Sequence, residues 1–127
     1  KLFRKLTKKK IKKEKILSIK GREFNIKNFY DGIARFDFTD LCKKNIGAED
    51  YMKIADSCNF IIIENLPNFN DDNSDQQQRF ITLIDIIYEK KIFLAVSSSS
   101  SLQDLSSAKS LLKPFKRTSS RLYELTS

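Results

Sequence analysis

The sequence predicts an α/β fold that contains a βαβ unit of parallel sheet and an N-terminal β-hairpin. Residues 60–64 form an apolar, mostly β-branched run, and residues 92–96 form a second apolar run. Such runs are typical of strands buried on both faces. Between them, from Asp75 onward, apolar residues recur at helical spacing (Phe80, Leu83, Ile84, Ile87 and Tyr88). A strand, a helix and a strand in this order predict parallel pairing with a right-handed crossover.

The N-terminal part of the domain has the alternating pattern of short strands. Residues 15–19 and 23–26 alternate apolar and polar side chains around Gly21, which predicts a hairpin. Residues 32–38 predict a third strand. Thr39 follows at a position where we expect an N-cap that opens a short turn.

A short amphipathic helix is predicted between the third strand and the central βαβ unit. Residues 47–50 lead into a segment in which Tyr51, Ile54, Ala55 and Cys58 follow the spacing i, i+3, i+4 and i+7. One face of this helix is therefore apolar and should pack in the core.

The C-terminal part begins with five consecutive serines, residues 97–101. We expect them to form the loop at the carboxyl end of a parallel strand, where α/β proteins place ligand sites. A helix is predicted near residues 102–112, ending before Pro114. The chain ends with a segment that, if helical, places Arg117 and Arg121 on one face.

The positive charge is concentrated at the N-terminus. The whole chain carries a net charge of +8, but residues 1–27 contain twelve basic and only two acidic residues. We therefore divide the chain into a basic arm, residues 1–14, and an α/β region, residues 15–127. The arm has no interleaved aromatic residues for base stacking, so we do not expect nucleic acid to be a partner. The arm could touch phosphates or anionic lipid, be a solvated tail or form the flank of an exposed strand, and we expect a solvated tail.

Several functional classes are excluded by composition. The chain has no histidine, which removes serine–histidine and cysteine–histidine catalysis and histidine-based metal sites. Its two cysteines, Cys42 and Cys58, are expected to be buried and reduced. No apolar run approaches the length of a membrane span. Neither GxxxxGK[ST] nor GxGxxG occurs, so these residues contain no glycine-rich phosphate loop.

Three arginines are the candidate functional residues: Arg79, Arg117 and Arg121. A guanidinium group stays charged and offers five donors in a fixed plane, which suits a triphosphate or a carboxylate. A structural ion pair is the alternative for each of them. Asp85 interrupts the apolar face of the central helix. Its carboxylate could pair with an arginine or lie on the polar side of the helix.

Six sequence blocks, taken together, resemble the ZapE-type ATPases and their mitochondrial AFG-like, or lactation-elevated, relatives. The blocks appear in the family's order: GR at 21–22, ARFDFTDLC at 34–42, GAEDY at 47–51, IENLP at 63–67, RFITLID at 79–85 followed by YE at 88–89, and RTSSRLYEL at 117–125. The chain departs from the family pattern at Gln78, at the serine run and at Leu125. The resemblance covers the C-terminal part of the family's length.

The resemblance implies a partial P-loop NTPase fold of AAA-like type whose Walker A and B half is absent from these residues. The full-length parent would hydrolyse ATP with Mg²⁺, would remodel proteins or act in cell division, and would lie in the cytoplasm or at the inner membrane or division site. This chain alone is expected to be inactive and to bind neither ATP nor Mg²⁺. By analogy with AAA-type enzymes, Arg121 is the first candidate for an arginine finger or sensor, before Arg117 and Arg79.

The partners implied are the N-terminal half of the ATPase, cell-division or membrane-associated proteins, and further copies in a homo-oligomeric parent. The alternative is a non-enzymatic protein-interaction module or the remnant of a split gene.

Overall fold

The architecture is a five-stranded mixed sheet with three α-helices, seen in a computed structural model that describes residues 13–19, 22–43, 46–98 and 100–126. The strands lie in the sheet in chain order. They are β1 (Lys13–Ile19), β2 (Arg22–Tyr30), β3 (Ile33–Asp37), β4 (Phe60–Leu66) and β5 (Phe93–Ser98). The helices are α1 (Ala48–Asp56), α2 (Ser74–Lys90) and α3 (Leu112–Thr126). Most of the predicted basic arm, residues 1–12, lies outside the described part.

The predicted hairpin is confirmed, and its second strand is longer than expected. β1 and β2 pair antiparallel, with Leu17 opposite Phe24, and the register shifts between Lys13 and Lys15. β2 then turns back to pair antiparallel with β3. The turn uses positive φ angles at Asp31 (48°) and Gly32 (90°). This backbone region is costly for most L-residues, whereas glycine adopts it without strain.

Two consecutive βαβ units follow the hairpin. β3 pairs parallel with β4, and β4 pairs parallel with β5, so α1 and α2 are both crossover helices. The unit formed by β4, α2 and β5 confirms the prediction for residues 60–96. The unit formed by β3, α1 and β4 was not predicted, although each of its elements was. The sheet is consequently mixed: parallel from β3 to β5 and antiparallel in the hairpin.

The core lies between one face of the sheet and the helices. Tyr51, Ile54 and Ala55 of α1 are buried, as their spacing predicts, and so is Cys58 just beyond the helix. The apolar stripe of α2 is also buried at Phe80, Leu83, Ile84 and Ile87. A cluster of aromatic rings joins the residue after β3 to α2 and α3, with Phe69 at its centre, 5.7 Å from Phe38, 5.6 Å from Phe80 and 5.7 Å from Phe115.

The predicted helix over residues 102–112 is wrong. That segment contains two short 3₁₀ turns, Leu102–Asp104 and Lys109–Leu111, and α3 begins only at Leu112. Pro114 lies inside the first turn of α3 rather than beyond the end of a helix. The first N–H groups of an α-helix have no partner within the helix, so a proline there removes no hydrogen bond.

Two further expectations are corrected. The strand predicted at 92–96 runs from Phe93 to Ser98 and is not buried on both faces, because Phe93 is 69% exposed at the edge of the described sheet. Thr39 does not act as an N-cap but begins a single π-helical turn, Thr39–Lys43. Its hydroxyl instead donates a hydrogen bond to the carboxylate of Asp37 at 2.5 Å.

Candidate functional site

Two of the three candidate arginines meet at one carboxylate. α3 packs against α2, and Asp85 of α2 lies at their contact. Arg121 Nη1 lies 2.6 Å from Asp85 Oδ1, and Arg117 Nη2 lies 3.3 Å from Asp85 Oδ2. The two arginines are four residues apart, so the helical geometry of α3 presents both to the same side. The pairing of Asp85 with an arginine is therefore the alternative that the structure confirms.

The two arginines differ in how firmly they are held. The guanidinium group of Arg121 also lies over the ring of Tyr88, 4.6 Å from its centroid, and its side chain is 23% exposed. The side chain of Arg117 is 60% exposed. Tyr88 donates a hydrogen bond to Glu124 at 3.1 Å, and this bond to a carboxylate raises the pKa of Tyr88 above its ordinary value. Arg121 thus braces α2 against α3, while Arg117 is more accessible.

Arg79 does not join this cluster. Its Nη1 donates to the carbonyl oxygen of Cys42 at 3.0 Å and lies 3.5 Å from Asp75. It therefore connects α2 to the turn after β3. The same turn is held by Tyr51, whose hydroxyl donates to the carbonyl oxygen of Leu41 at 2.6 Å. Arg79 is placed to stabilise this turn.

A polar cluster at the carboxyl ends of β3, β4 and β5 was not identified from the sequence. Asp37 accepts hydrogen bonds from Thr39 and from the side-chain amide of Asn65, at 2.5 Å for the latter. Both bonds favour the charged form, so the pKa of Asp37 lies below its ordinary value. Asn65, which has a φ of 62°, also donates its backbone N–H to Ser97 Oγ at 3.2 Å. The sequence indicated this region only through the general rule that α/β proteins place ligand sites in the loops at the carboxyl ends of parallel strands, which we applied to the serine run.

The serine run is bound to the loop after β4 in its described part. Asn68 donates its side-chain amide to Ser100 Oγ at 2.9 Å. Together with the bond between Asn65 and Ser97, this contact closes the carboxyl end of β5 onto that of β4. These side chains satisfy one another and fix the loops.

The cysteines are buried and free, as predicted. Burial raises the pKa of Cys42 and of Cys58 to about 12, so neither thiol is a nucleophile near neutral pH. Within the described ranges, no group of three or more cysteine, aspartate and glutamate side chains could hold a metal ion. No helix in the described part of the chain is long and apolar enough to cross a bilayer.

The chain has relatives among known proteins. A family model described as AFG1-like ATPase matches residues 1–127. Lactation elevated protein 1 homolog B of Danio rerio is 33% identical over 95 residues, which are 75% of this chain and 19% of that protein. Uncharacterized protein C115.02c of Schizosaccharomyces pombe is 29% identical over 85 residues, which are 67% of this chain and 19% of that protein. The chain therefore corresponds to about a fifth of either relative. No solved structure matches it.

Proposed function

Because the chain belongs to the AFG1-like ATPase family, we propose that it forms the C-terminal α/β part of a protein that hydrolyses ATP, with the phosphate loop outside these residues. The matched relatives extend well beyond the segment that this chain covers. ATP and Mg²⁺ would be held by the phosphate-loop half of the parent. Remodelling of proteins, in cell division or at a membrane, is the role that the resemblance implies for the parent.

The observation that carries the proposal is the arginine pair on Asp85. Phosphoryl transfer is catalysed mainly by positioning and by charge stabilisation, and an arginine that reaches the γ-phosphate can accelerate it about 10³-fold or more. Such an arginine needs a rigid support and an accessible guanidinium group. Arg121 supplies the support through Asp85 and Tyr88. Arg117, more exposed and 3.3 Å from Asp85, can turn towards a phosphate while that support remains.

We therefore assign the phosphate-contacting role to Arg117 and a positioning role to Arg121. Arg79 remains a support for the turn after β3, because its guanidinium group binds the carbonyl oxygen of Cys42. This assignment reverses the order that analogy alone suggested, since it weighs the accessibility of each guanidinium group.

The test compares the 127-residue chain with the polypeptide made by its native source. Calorimetric titration with Mg-ATP should show no micromolar binding to the chain alone, whereas the native polypeptide should bind and hydrolyse ATP. In the native polypeptide, Arg117→Gln should lower kcat by about 10³-fold, the scale measured for arginine fingers. Lys90→Gln is the matched control, because Lys90 is also a partly exposed, ion-paired cation (32% exposed) but pairs with Asp56 rather than with Asp85.

Two results would contradict the proposal at different points. Micromolar binding of ATP to the 127-residue chain would show that its phosphate site lies within these residues. Equally fast ATP hydrolysis by the Arg117→Gln and Lys90→Gln variants of the native polypeptide would remove the role of Arg117 but leave the ATPase assignment intact.

A further inference from the structure

The two faces of the parallel part of the sheet have different surroundings. Cross-strand partners lie on the same face of a sheet, so the register defines each face. One face, which we call the helical face, belongs to a single apolar core with buried residues of all three helices. Its members on β3, β4 and β5 are Ala34, Phe36, Ile61, Ile63 and Leu94.

The opposite face, which we call the open face, carries Ile33, Phe60, Ile62 and Phe93. Ile33, Phe60 and Phe93 are aligned across the three strands. The rings of Phe60 and Phe93 are stacked, with centroids 6.1 Å apart. Ile33 and Ile62 are only 7% and 6% exposed, but neither belongs to the core that contains the helices. The open face is therefore a second apolar layer, and Phe93 is its most exposed member.

The open face has a defined border. Towards the carboxyl end of the strands, Glu64 and its cross-strand neighbour Asp37 are charged, and Arg35, which lies in the middle of β3 opposite Ile62, places its Nε 3.0 Å from Glu64 Oε1. At the amino end, the aligned aromatic residues continue to the edge at Phe93. An apolar centre with a charged rim on one side is typical of a surface that another element covers.

Parallel strands with apolar residues on both faces are found almost exclusively where both faces are covered, usually by helices. We propose that a helix from the part of the AFG1-like parent outside these residues packs its apolar stripe on the open face, with Phe93 as its anchor. This inference depends on the proposed function, which places the chain in a longer polypeptide. The relatives supply ample additional chain, since the matched segment is only 19% of each.

Hydroxyl-radical footprinting tests this contact directly, because it labels exposed aromatic side chains. The 127-residue chain and the native polypeptide are labelled under the same conditions. Phe93 should be labelled strongly in the chain alone and at least five-fold less in the native polypeptide. Tyr123, which lies on α3 and is 61% exposed, should be labelled equally in both and serves as the control.

A matched pair of substitutions provides a second readout. Phe93→Lys and Tyr123→Lys each replace an exposed aromatic side chain, so each should lower the thermal midpoint of the 127-residue chain only slightly, with Phe93→Lys losing the stacking on Phe60. In the native polypeptide, Phe93→Lys should lower the midpoint by several degrees and restore the labelling of Phe60. Tyr123→Lys should do neither.

The outcomes separate the occupants of the open face. Equal labelling of Phe93 in both proteins overturns the proposal. Protection of Phe93 in the chain alone also overturns the proposal. If sedimentation then shows a dimer, a second copy of the chain covers the open face. If it shows a monomer, the chain's own residues cover it. A native polypeptide that protects Phe93 but does not hydrolyse ATP would overturn only the proposed function. A native polypeptide that hydrolyses ATP but leaves Phe93 exposed would overturn only the docking contact.

Discussion

The contact between Asp85 and the two arginines predicts a specific pattern of stability losses in the 127-residue chain. A hydrogen bond to a charged group contributes about 1.5 to 3 kcal/mol when it is well shielded, and exposed ion pairs contribute about 0.2 to 1 kcal/mol. The pair of Arg121 with Asp85 is short, at 2.6 Å, and its side chains are only 23% and 30% exposed. We therefore expect a coupling free energy of about 1.5 kcal/mol.

Arg117 should couple to Asp85 more weakly. Its contact is longer, at 3.3 Å, and its side chain is 60% exposed, so we expect about 0.5 kcal/mol. Asp85→Asn removes both ion pairs and should lower the free energy of unfolding by about 2 kcal/mol.

Double-mutant cycles with Asp85→Asn, Arg121→Gln and Arg117→Gln, measured by urea denaturation, isolate the two coupling terms. A result in which Arg117 couples to Asp85 as strongly as Arg121 does would refute the division into a support and an accessible arginine. A coupling free energy near zero between Arg121 and Asp85 would refute it as well.

Two further predictions concern the backbone and the thiols. Gly32→Ala should lower the free energy of unfolding by about 1 to 3 kcal/mol, because the residue has a φ of 90° and a Cβ there would lie 2.6 Å from the side chain of Asn59. Gly47→Ala is its control, because no atom lies within 4 Å of the added Cβ. Urea denaturation should show a loss of about 0.5 kcal/mol for this variant. Equal losses for the two variants would contradict the backbone strain and the close contact proposed at Gly32. The thiols of Cys42 and Cys58 ionise near pH 9 when unfolded but keep their protons to about pH 12 when folded. Above pH 9 the unfolded state therefore binds fewer protons than the folded state. The free energy of unfolding should then fall by up to about 1.4 kcal/mol per pH unit for each thiol. Below pH 9 the full stability should be retained. Denaturation between pH 7 and 10 measures this slope, Cys58→Ala should reduce it, and a flat profile would contradict the burial of both thiols.

The local elements followed from the sequence wherever a single physical pattern dominated. α2 was predictable because its apolar residues recur at helical spacing over more than two turns, and all of the predicted stripe except Tyr88 becomes buried. The strand β4 was predictable because Ile61, Ile62 and Ile63 are buried on both faces of the sheet. In both cases, local propensity and tertiary packing favour the same structure.

The errors occurred where tertiary contacts decide between local alternatives. Pro114 can end a helix or lie in its first turn, and the packing of Phe115 and Leu122 in the core selects the second. An apolar run cannot show whether its strand is central or at an edge, so the exposure of Phe93 was not predictable from residues 92–96. The segment before α3 is organised by Gln77, which bonds Ser107 and the backbone N–H of Ala108, a pairing across about thirty residues.

The candidate site was predictable in part. Spacing placed Arg117 and Arg121 together on one helical face, and the interruption of an apolar stripe drew attention to Asp85. That these three residues meet depends on how α3 packs against α2, which periodicity does not determine. The cluster of Asp37 and Asn65 depends on the alignment of strand ends, and its partners are 28 residues apart.

The central claim is that this chain is part of a longer ATPase whose phosphate loop lies outside the 127 residues. The intact mass of the protein from its native source, with peptide sequencing of the same sample, tests that claim most directly. The account predicts a mass well above that of 127 residues, together with peptides that contain a glycine-rich phosphate loop. A native protein with the mass of the 127-residue chain would contradict it.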